Sequence, residues 1–332
     1  MNATRLDFLK IGAGALMAQC LPLMAAEDKK KIQIYFAPEP NRDALLDMPV
    51  MKGFKPTKLE IRVGAKKPFR LFHFSDSHIA WMNSRDLIKC AESELKWYEG
   101  RRRHFATNAT GLAAALAYAK AHRLPMLHTG DLIDYLSDAN LNYVKRDFEG
   151  LEYQFALGNH EFGGIPSALR PGPGPTRAQM RDAVKGYFPN SLVCASRIIN
   201  GVNFVSFDNC GDCRDIFDEQ FAAIKAEFAK GLPTVLCYHI PFYTKELGDW
   251  QVAKVARMKS HDDITETYLA APPRGGVKIN TTLREWLPQQ KNLKAMLCGH
   301  KHAESQGLFC ENVTQYVAGA TYFGNAYDIQ FI

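Results

Sequence analysis

Short apolar runs alternate with amphipathic helical stretches along the chain from Phe69 onward. Several of these runs end abruptly in polar residues, namely "FRLFHFSDSH", "PMLHTGD", "YQFALGNHE", "TVLCYHIP" and "LKAMLCGHKH". Apolar runs of this kind, separated by helical segments, are typical of buried strands in layered α/β proteins. The pattern therefore predicts an α/β fold in which each of these runs is a strand.

Two helices and one hairpin are predicted between the strands. "NATGLAAALAYAKAH" is alanine-rich and begins at a candidate N-cap, Thr107 or Asn108. "DEQFAAIKAEFAKG" places Phe221, Ile224 and Phe228 on one helical face. In "CASRIINGVNFVSFD", the Asn-Gly pair is a strong signal for the tight turn of a β-hairpin.

Three segments have a less regular pattern. "FGGIPSALRPGPGPT" is too rich in proline and glycine for regular structure, and residues 245–280 lack a strand pattern. Both follow polar strand ends, so they form either the wall of a binding site or ordinary surface loops. Residues 27–68 are a mixed lead-in, in which "KLEIRVGA" is a candidate edge strand.

The first residues have the layout of an export signal. "MNATRLDFLKIGAGALMAQCLPLMAAEDKKK" contains a basic start, an apolar stretch, small residues and then a charged boundary. The apolar stretch is interrupted and short for a membrane span, so we expect cleavage near Ala25 or Ala26 and no stable span afterwards. The sequence thus predicts a signal peptide at 1–26 and an exported protein, periplasmic or extracellular.

Two details bear on the export route. "TRLDFLKIGAG" is similar to a twin-arginine export signal, but Leu6 stands in place of the second arginine. Cys20 follows Gln19, where a lipid-attachment motif has a small residue, so a lipid anchor is not expected. After the signal and the lead-in, we predict one domain over residues 69–332.

Composition places the 332-residue chain among ordinary globular proteins, because 46% of its residues are hydrophobic and 23% are charged. The net charge of +6 permits an anionic ligand, but the basic residues are dispersed apart from "DKKKIQ" and "EGRRRHF". We interpret both runs as solvated faces, and a phosphate-facing role for Arg101–Arg103 is the less favoured alternative. The sequence lacks the interleaved aromatic and lysine residues that favour nucleic-acid binding.

Eight cysteines minus Cys20 leave seven in the exported chain, an odd number that leaves at least one unpaired. Cys237 and Cys298 lie in apolar runs and are interpreted as buried small hydrophobic residues. Cys210 and Cys213 form one CxxC, which cannot complete a four-cysteine zinc site alone. We predict a local disulfide or an exposed dithiol there, with no influence on metal content.

Each of the five quoted runs ends in residues that can bind a metal, at the strand ends where open α/β sheets form their sites. Neighbours two apart on extended backbone point the same way, so each of the pairs in "SDSH" and "GHKH" can reach one centre. The set is too large for one ion, whereas two cations sharing a carboxylate would use all of it. The candidate ligands are Asp76, His78, Asp131, Asn159, His239, His300 and His302.

The remaining histidines outside these motifs receive a structural interpretation. His73 and His128 lie inside strand-like runs and are expected to be buried core residues. His104, His122 and His261 carry no motif and are expected at the surface.

In order along the chain, these motifs read Asp-x-His, Gly-Asp, Gly-Asn-His-Glu, His and Gly-His-x-His, from Asp76 to His302. The sequence resembles the calcineurin-like metallophosphoesterase family, in which the same motifs occur in the same order. "LHTGDLIDY", the hairpin and "YDIQFI" are similar to bacterial exported members of unassigned substrate. The resemblance implies a sandwich of two mixed β-sheets flanked by helices.

The resemblance also implies how the ligands are shared between two metals, with Asp131 bridging. One metal would be held by Asp76, His78, Asp131 and His302. The other would be held by Asp131, Asn159, His239 and His300. Two divalent or trivalent metal ions are implied, and Mn, Fe and Zn are all candidates because each accepts such nitrogen and oxygen ligands. Purple acid phosphatases have a tyrosine three residues after the Gly-Asp aspartate, where this chain has Asp134, so a tyrosine-ligated ferric centre is disfavoured.

The activity implied is hydrolysis of a phosphodiester or phosphomonoester by a hydroxide that bridges the metals, with His160 beside the leaving group. A small phosphorylated molecule is the expected substrate, and the oligomeric state is left open. Two alternatives remain, a nuclease-like enzyme on the same site and a non-catalytic metal-binding scaffold.

Overall fold

The structure, a computed structural model, describes residues 51–88, 90–162, 177–210, 218–265, 269–270 and 278–332. The predicted signal peptide, most of the lead-in, Cys213 and nearly all of "FGGIPSALRPGPGPT" lie outside these ranges. The strands described are β1 (Thr57–Ile61), β2 (Phe69–Phe74), β3 (Met126–His128), β4 (Tyr153–Phe155), β5 (Cys194–Ile199), β6 (Val202–Phe207), β7 (Thr234–Cys237), β8 (Leu293–Cys298), β9 (Ser305–Cys310), β10 (Val313–Val317) and β11 (Tyr327–Phe331).

The α-helices connect these strands and are supplemented by 3-10 turns at His160–Phe162, His261–Asp263, Leu287–Gln289 and Thr321–Phe323. The helices described are α1 (Ser84–Ile88), α2 (Glu92–His104), α3 (Asn108–His122), α4 (Asp138–Asp147), α5 (Arg177–Val184), α6 (Asp218–Phe228), α7 (Lys245–Lys254) and α8 (Lys278–Trp286).

The strands form two mixed sheets. The first has the order β1-β11-β2-β3-β4, in which β2, β3 and β4 run parallel to one another. The second has the order β5-β6-β7-β8-β10-β9, in which β6, β7, β8 and β10 run parallel. The predicted architecture of two mixed sheets flanked by helices is therefore confirmed.

Three hydrophobic clusters hold these layers together. One joins the facing sides of both sheets, with Leu71 and Ile329 from the first sheet and Phe204 and Leu297 from the second. A second cluster covers the outer side of the first sheet with apolar residues of α3 and α4. A third covers the outer side of the second sheet with residues of α6, α7 and α8. Burial of these apolar surfaces is the main force that orders the sandwich.

Several local predictions agree with the structure. α3 spans the predicted alanine-rich segment, and α6 buries Ile224 and Phe228. The hairpin turns at Asn200 and Gly201, whose φ values of 48° and 85° are both positive, as a type I′ turn requires. "KLEIRVGA" contains most of β1, which pairs in parallel with β11 at the edge of the first sheet.

The predicted N-cap of α3 is confirmed in position, but it lacks the usual capping hydrogen bond. Thr107 occupies the N-cap position, but its side chain makes no capping hydrogen bond. Its hydroxyl donates instead to the Tyr322 carbonyl oxygen at 2.6 Å, and the Asn108 amide donates to the His78 carbonyl oxygen at 2.7 Å. Both side chains therefore tie the start of α3 to neighbouring loops.

The structural interpretation of the other histidines, of Cys237 and of Cys298 is also confirmed, whereas Cys210 is buried and so does not fit the exposed dithiol. His73 and His128 are completely buried, as are Cys237 and Cys298. The histidines at positions 104, 122 and 261 are exposed or partly exposed. None of the helices in the described part of the chain is long and apolar enough to cross a membrane.

Candidate metal centre

Strands of both sheets deliver the candidate ligands to one place. In the first sheet, β2, β3 and β4 are each followed within four residues by a candidate ligand. In the second sheet, β7 and β8 end two residues before His239 and His300. Because parallel strands end at the same edge of a sheet, the loops that follow them share one side of the sandwich.

The first group of ligand atoms belongs to Asp76, His78, Asp131 and His302, and its atoms all lie within 4.8 Å of one another. His78 Nε2 lies 3.8 Å from Asp76 Oδ1 and 3.6 Å from Asp131 Oδ2. It also lies 3.0 Å from His302 Nε2. Two carboxylates and two imidazoles therefore converge on one point, in a set of donors that suits a divalent transition metal.

The second group of ligand atoms belongs to Asp131, His239 and His300, again within 4.8 Å of one another. His239 Nε2 lies 3.1 Å from Asp131 Oδ2. Asn159 precedes His160, whose backbone N–H donates to Asp131 Oδ1 at 2.8 Å. Asp131 is thus common to both groups, and its two carboxylate oxygens face different neighbours.

Buried polar atoms test whether these residues fit a metal. Asp76 Oδ1, Asn159 Oδ1 and His239 Nε2 are buried and make no hydrogen bond to the described residues. Leaving such an atom unsatisfied costs about 1–3 kcal/mol, so native proteins rarely do it without a reason. Coordination of a cation would satisfy all three atoms, and the residues therefore fit a metal.

The prediction that the paired ligands lie on extended backbone is wrong. The paired ligands were expected on extended backbone, but the φ values are 54° at Asp76, 47° at His78, 72° at His300 and 56° at His302. Asp131 is also left-handed, with a φ of 55°. Tight turns, and not strand alternation, aim these side chains. Left-handed backbone costs about 1–2 kcal/mol per residue, and such strain is concentrated at functional sites.

The acids and imidazoles of the centre stabilise one another's charges. Burial lowers the pKa of His239, but the negative charge of the adjacent Asp131 outweighs burial and raises the pKa to about 9. Burial likewise disfavours the ionised form of Asp131, yet His239 and His160 hold its pKa well below the usual value. Metal binding would replace the proton on His239, because nitrogen ligands must be deprotonated.

The role of Asp134 is not apparent from the sequence. Its Oδ1 accepts a hydrogen bond from His78 Nδ1 at 2.8 Å, so Nε2 of His78 is the nitrogen turned toward the ligand group. His160 Nδ1 donates to the Asp134 carbonyl oxygen at 2.6 Å and lies 3.1 Å from Oδ1. Asp134 therefore orients one candidate ligand and the candidate catalytic histidine together.

Arg101 completes this arrangement from α2. Its Nε donates to Asp134 Oδ2 at 2.7 Å, and a terminal nitrogen donates to Oδ1. The guanidinium also lies 4.7 Å from the ring of Phe105, which stacks on His78 at 4.3 Å with an interplanar angle of 2°. Burial opposes ionisation of Asp134, but Arg101 and His160 hold its pKa well below the usual value. Arg101 thus faces a carboxylate and is no free phosphate-binding group.

Glu161 is a second residue whose role the sequence did not reveal. Its carboxylate is fully buried and accepts N–H groups of Asp131, Leu132, Ile133 and Gly158 at 2.7–3.2 Å. It therefore joins the turn after β3 to the turn after β4. Burial is the main cause that raises its pKa to about 7, with the charge of Asp131 second.

We expect Glu161→Ala to lower the free energy of unfolding by about 2–5 kcal/mol, because four buried N–H groups lose their acceptor. Urea denaturation of the metal-free protein measures the loss. Glu152→Ala is the matched control, since Glu152 is 76% exposed and pairs with Arg197 at the surface. The control substitution should lower the free energy of unfolding by less than about 1 kcal/mol. Equal losses in the two variants would contradict the bridging role of Glu161.

Comparison with known proteins adds to this geometry. The sequence model described as calcineurin-like phosphoesterase matches residues 69–304. No curated protein matches the chain significantly. A dimetal phosphatase from Danio rerio is similar in structure, with 12% identity, a TM-score of 0.41 and coverage of 77% of this chain and 89% of that one.

Two further solved structures are similar to this chain. A purple acid phosphatase from yellow lupin (Lupinus luteus) seeds has 13% identity and a TM-score of 0.41, over 76% of this chain and 44% of that one. Phosphopantetheinyl hydrolase from Mycobacterium tuberculosis has 12% identity and a TM-score of 0.39, over 81% of this chain and 91% of that one. This chain thus spans less than half of the lupin enzyme.

The family match begins at β2 and ends just after His302, so it contains every residue of both ligand groups. The donor set and the three unsatisfied buried atoms agree with the metal-dependent phosphoester hydrolysis that defines such enzymes. On the extent of the match and the convergence of its motifs, the chain belongs to the calcineurin-like phosphoesterase family.

Proposed function

We propose that this protein hydrolyses a small phosphodiester or phosphomonoester with the help of two metal ions. The observation that carries the proposal is Asp131, whose carboxylate belongs to two of the three His/Asp groups that could hold a metal. The third group, His78, Asp134 and His160, is the hydrogen-bonded set in which Asp134 orients the two histidines. A single cation would use one of the two groups that share Asp131 and leave the other without a purpose. A shared carboxylate is the usual way to hold two cations at the separation of about 3.5–4 Å that two-metal hydrolases use.

The seven residues predicted from the sequence divide between the two cations as the family motifs imply. When bound, such cations supply an activated water and neutralise charge on the phosphoryl group. Mn, Fe and Zn all suit this mixture of imidazole, carboxylate and amide ligands. The first cation would be held by Asp76, His78, Asp131 and His302. The second would be held by Asp131, Asn159, His239 and His300.

His160 is the residue placed to handle the proton of the leaving group. Its Nδ1 faces Asp134, so the opposite ring nitrogen, Nε2, is the one available to a substrate. Burial lowers its pKa, but the charges of Asp131 and Asp134 outweigh burial and raise the pKa to about 9. Cations on Asp131 would offset part of that effect. An imidazolium at this position can donate its proton to a departing alkoxide.

A small substrate is favoured over nucleic acid because two of the three arginines of "EGRRRHF" are paired with carboxylates. Arg101 pairs with Asp134, and Arg103 pairs with Glu99 on the same helix. Nucleic-acid binding sites instead present unpaired lysine and arginine side chains along a groove, with aromatic side chains on which the bases stack. Export of the protein remains part of the proposal and rests on the signal-like residues 1–26.

The proposed function is tested with full-length mature protein, loaded in turn with Mn²⁺, Fe²⁺ or Zn²⁺. A panel of phosphomonoesters, phosphodiesters, nucleotides and pyrophosphates identifies the substrate class, while elemental analysis counts the metals. We expect two metals per chain and turnover of at least one class of small ester. Two bound metals without turnover of any class would favour the scaffold alternative, and preference for long DNA or RNA would favour the nuclease alternative.

A further inference from the structure

The C-terminal 3-10 turn Thr321–Phe323 lies outside the segment matched by the family, yet it contacts the candidate metal centre. The phenolic oxygen of Tyr322 lies 2.8 Å from His302 Nδ1. The two rings are nearly perpendicular, at 89° and 5.3 Å between centroids. Tyr322 is only 1% exposed, whereas the His302 side chain is 30% exposed, so the hydrogen bond joins a buried phenol to the open side of the ligand group.

Four other contacts fix the position of Tyr322. Thr107 donates to its carbonyl oxygen at 2.6 Å. The backbone N–H and the hydroxyl of Thr321 both donate to the Ser75 carbonyl oxygen, at 2.9 and 2.7 Å. A Cβ at Gly111 would lie 2.3 Å from the Thr321 carbonyl oxygen, so α3 and the turn are in close contact. The turn is thereby attached to α3 and to the residue before Asp76.

We infer that Tyr322 is a positioning residue that aims His302 at the first cation; this inference rests on the proposed function. With Nε2 as the nitrogen that would hold the metal, the ring proton of His302 would lie on Nδ1, which would donate it to the phenol oxygen. Such outer partners fix both the tautomer and the ring orientation of a histidine ligand. A phenol oxygen can accept this hydrogen bond while it keeps its own proton, because a hydroxyl group is both a donor and an acceptor.

The two cations depend on Tyr322 to different extents. In the first group, His78 is held by Asp134 and His302 is held by Tyr322. In the second group, His239 Nδ1 donates to the Thr129 carbonyl oxygen at 2.6 Å, which no side-chain substitution removes. Loss of the phenol hydroxyl should therefore weaken the binding of one cation and leave the binding of the other nearly unchanged.

Calorimetric titration of metal-free protein with Mn²⁺ tests the inference on Tyr322→Phe, which removes only the hydroxyl and keeps the ring beside Phe105. We expect the affinity for one of the two cations to fall about 10–100-fold, as for other outer partners of metal ligands. The matched control is Tyr327→Phe. Tyr327 is equally buried, and its hydroxyl donates to the Val317 carbonyl oxygen at 2.9 Å, away from the ligand groups.

The outcomes separate this inference from the proposed function. Two unchanged affinities in Tyr322→Phe, or the same loss in Tyr327→Phe, would overturn the positioning role while leaving two-metal binding in place. A wild-type protein that binds none of Mn²⁺, Fe²⁺ and Zn²⁺ would refute the proposed function and the inference together. If Tyr322→Phe does not fold, Thr107→Val loosens the turn without altering the ring. We then expect a smaller loss of affinity for the same cation, and an unchanged affinity would overturn the inference.

Discussion

Asp131→Asn is expected to reduce phosphoester hydrolysis at least about a thousandfold, because two bound cations supply several kcal/mol of charge stabilisation and both depend on this carboxylate. Asparagine keeps the shape of the side chain and tolerates the left-handed backbone, where φ is 55°. It also keeps an oxygen that can accept the His160 N–H. The variant should therefore fold and lose only the negative charge that the cations share.

Metal content is the decisive measurement for Asp131→Asn. We expect less than one metal per chain after dialysis, by elemental analysis. His239→Ala is the matched control, since His239 is equally buried but belongs to one ligand group only. It should retain one metal. An Asp131→Asn protein that still carries two metals, or that retains more metal than the control, would contradict the bridging role.

The positions of the candidate ligands could be predicted from the sequence, because each follows a strand and strands are readable as apolar runs. The hairpin at Asn200 and Gly201 was predictable for a similar reason, since one dipeptide fixes the turn. The backbone conformation of the turns that carry the ligands could not be predicted from the sequence. A left-handed φ at Asp76 or His300 is imposed by the surrounding fold, and no local preference of these residues demands it.

The other roles that could not be predicted depend on contacts between residues that are distant in the sequence. Asp134 binds Arg101, which is 33 residues away in the sequence. In the sequence, Asp134 is distinguished only because purple acid phosphatases have a tyrosine ligand at that position. Glu161 was visible in "GNHE", yet nothing there indicates that its carboxylate accepts N–H groups from the preceding Gly-Asp turn. Tyr322 reaches His302 from a turn that carries no motif. Packing brings these groups together, and pattern alone does not encode packing.

His160→Asn should reduce hydrolysis of alkyl phosphate esters about 10²–10⁴-fold, the usual contribution of a general acid. An alkoxide is a poor leaving group and needs a proton as the P–O bond breaks, whereas a nitrophenolate departs with little help. The loss should therefore be much smaller for nitrophenyl esters. Asparagine retains an N–H that can donate to the Asp134 carbonyl oxygen, as His160 Nδ1 does at 2.6 Å. Metal content should stay at the wild-type level.

The pattern of losses distinguishes two roles for His160. A proton donor contributes in proportion to the basicity of the leaving group, while a group that only stabilises charge on the phosphoryl oxygens contributes equally to both esters. Rates for both esters are compared in wild type and variant at matched metal occupancy, with His122→Asn as an exposed control on α3. An equal loss on both esters would refute the acid role and leave the two-metal proposal standing, because His160 contributes to neither of the ligand groups that share Asp131.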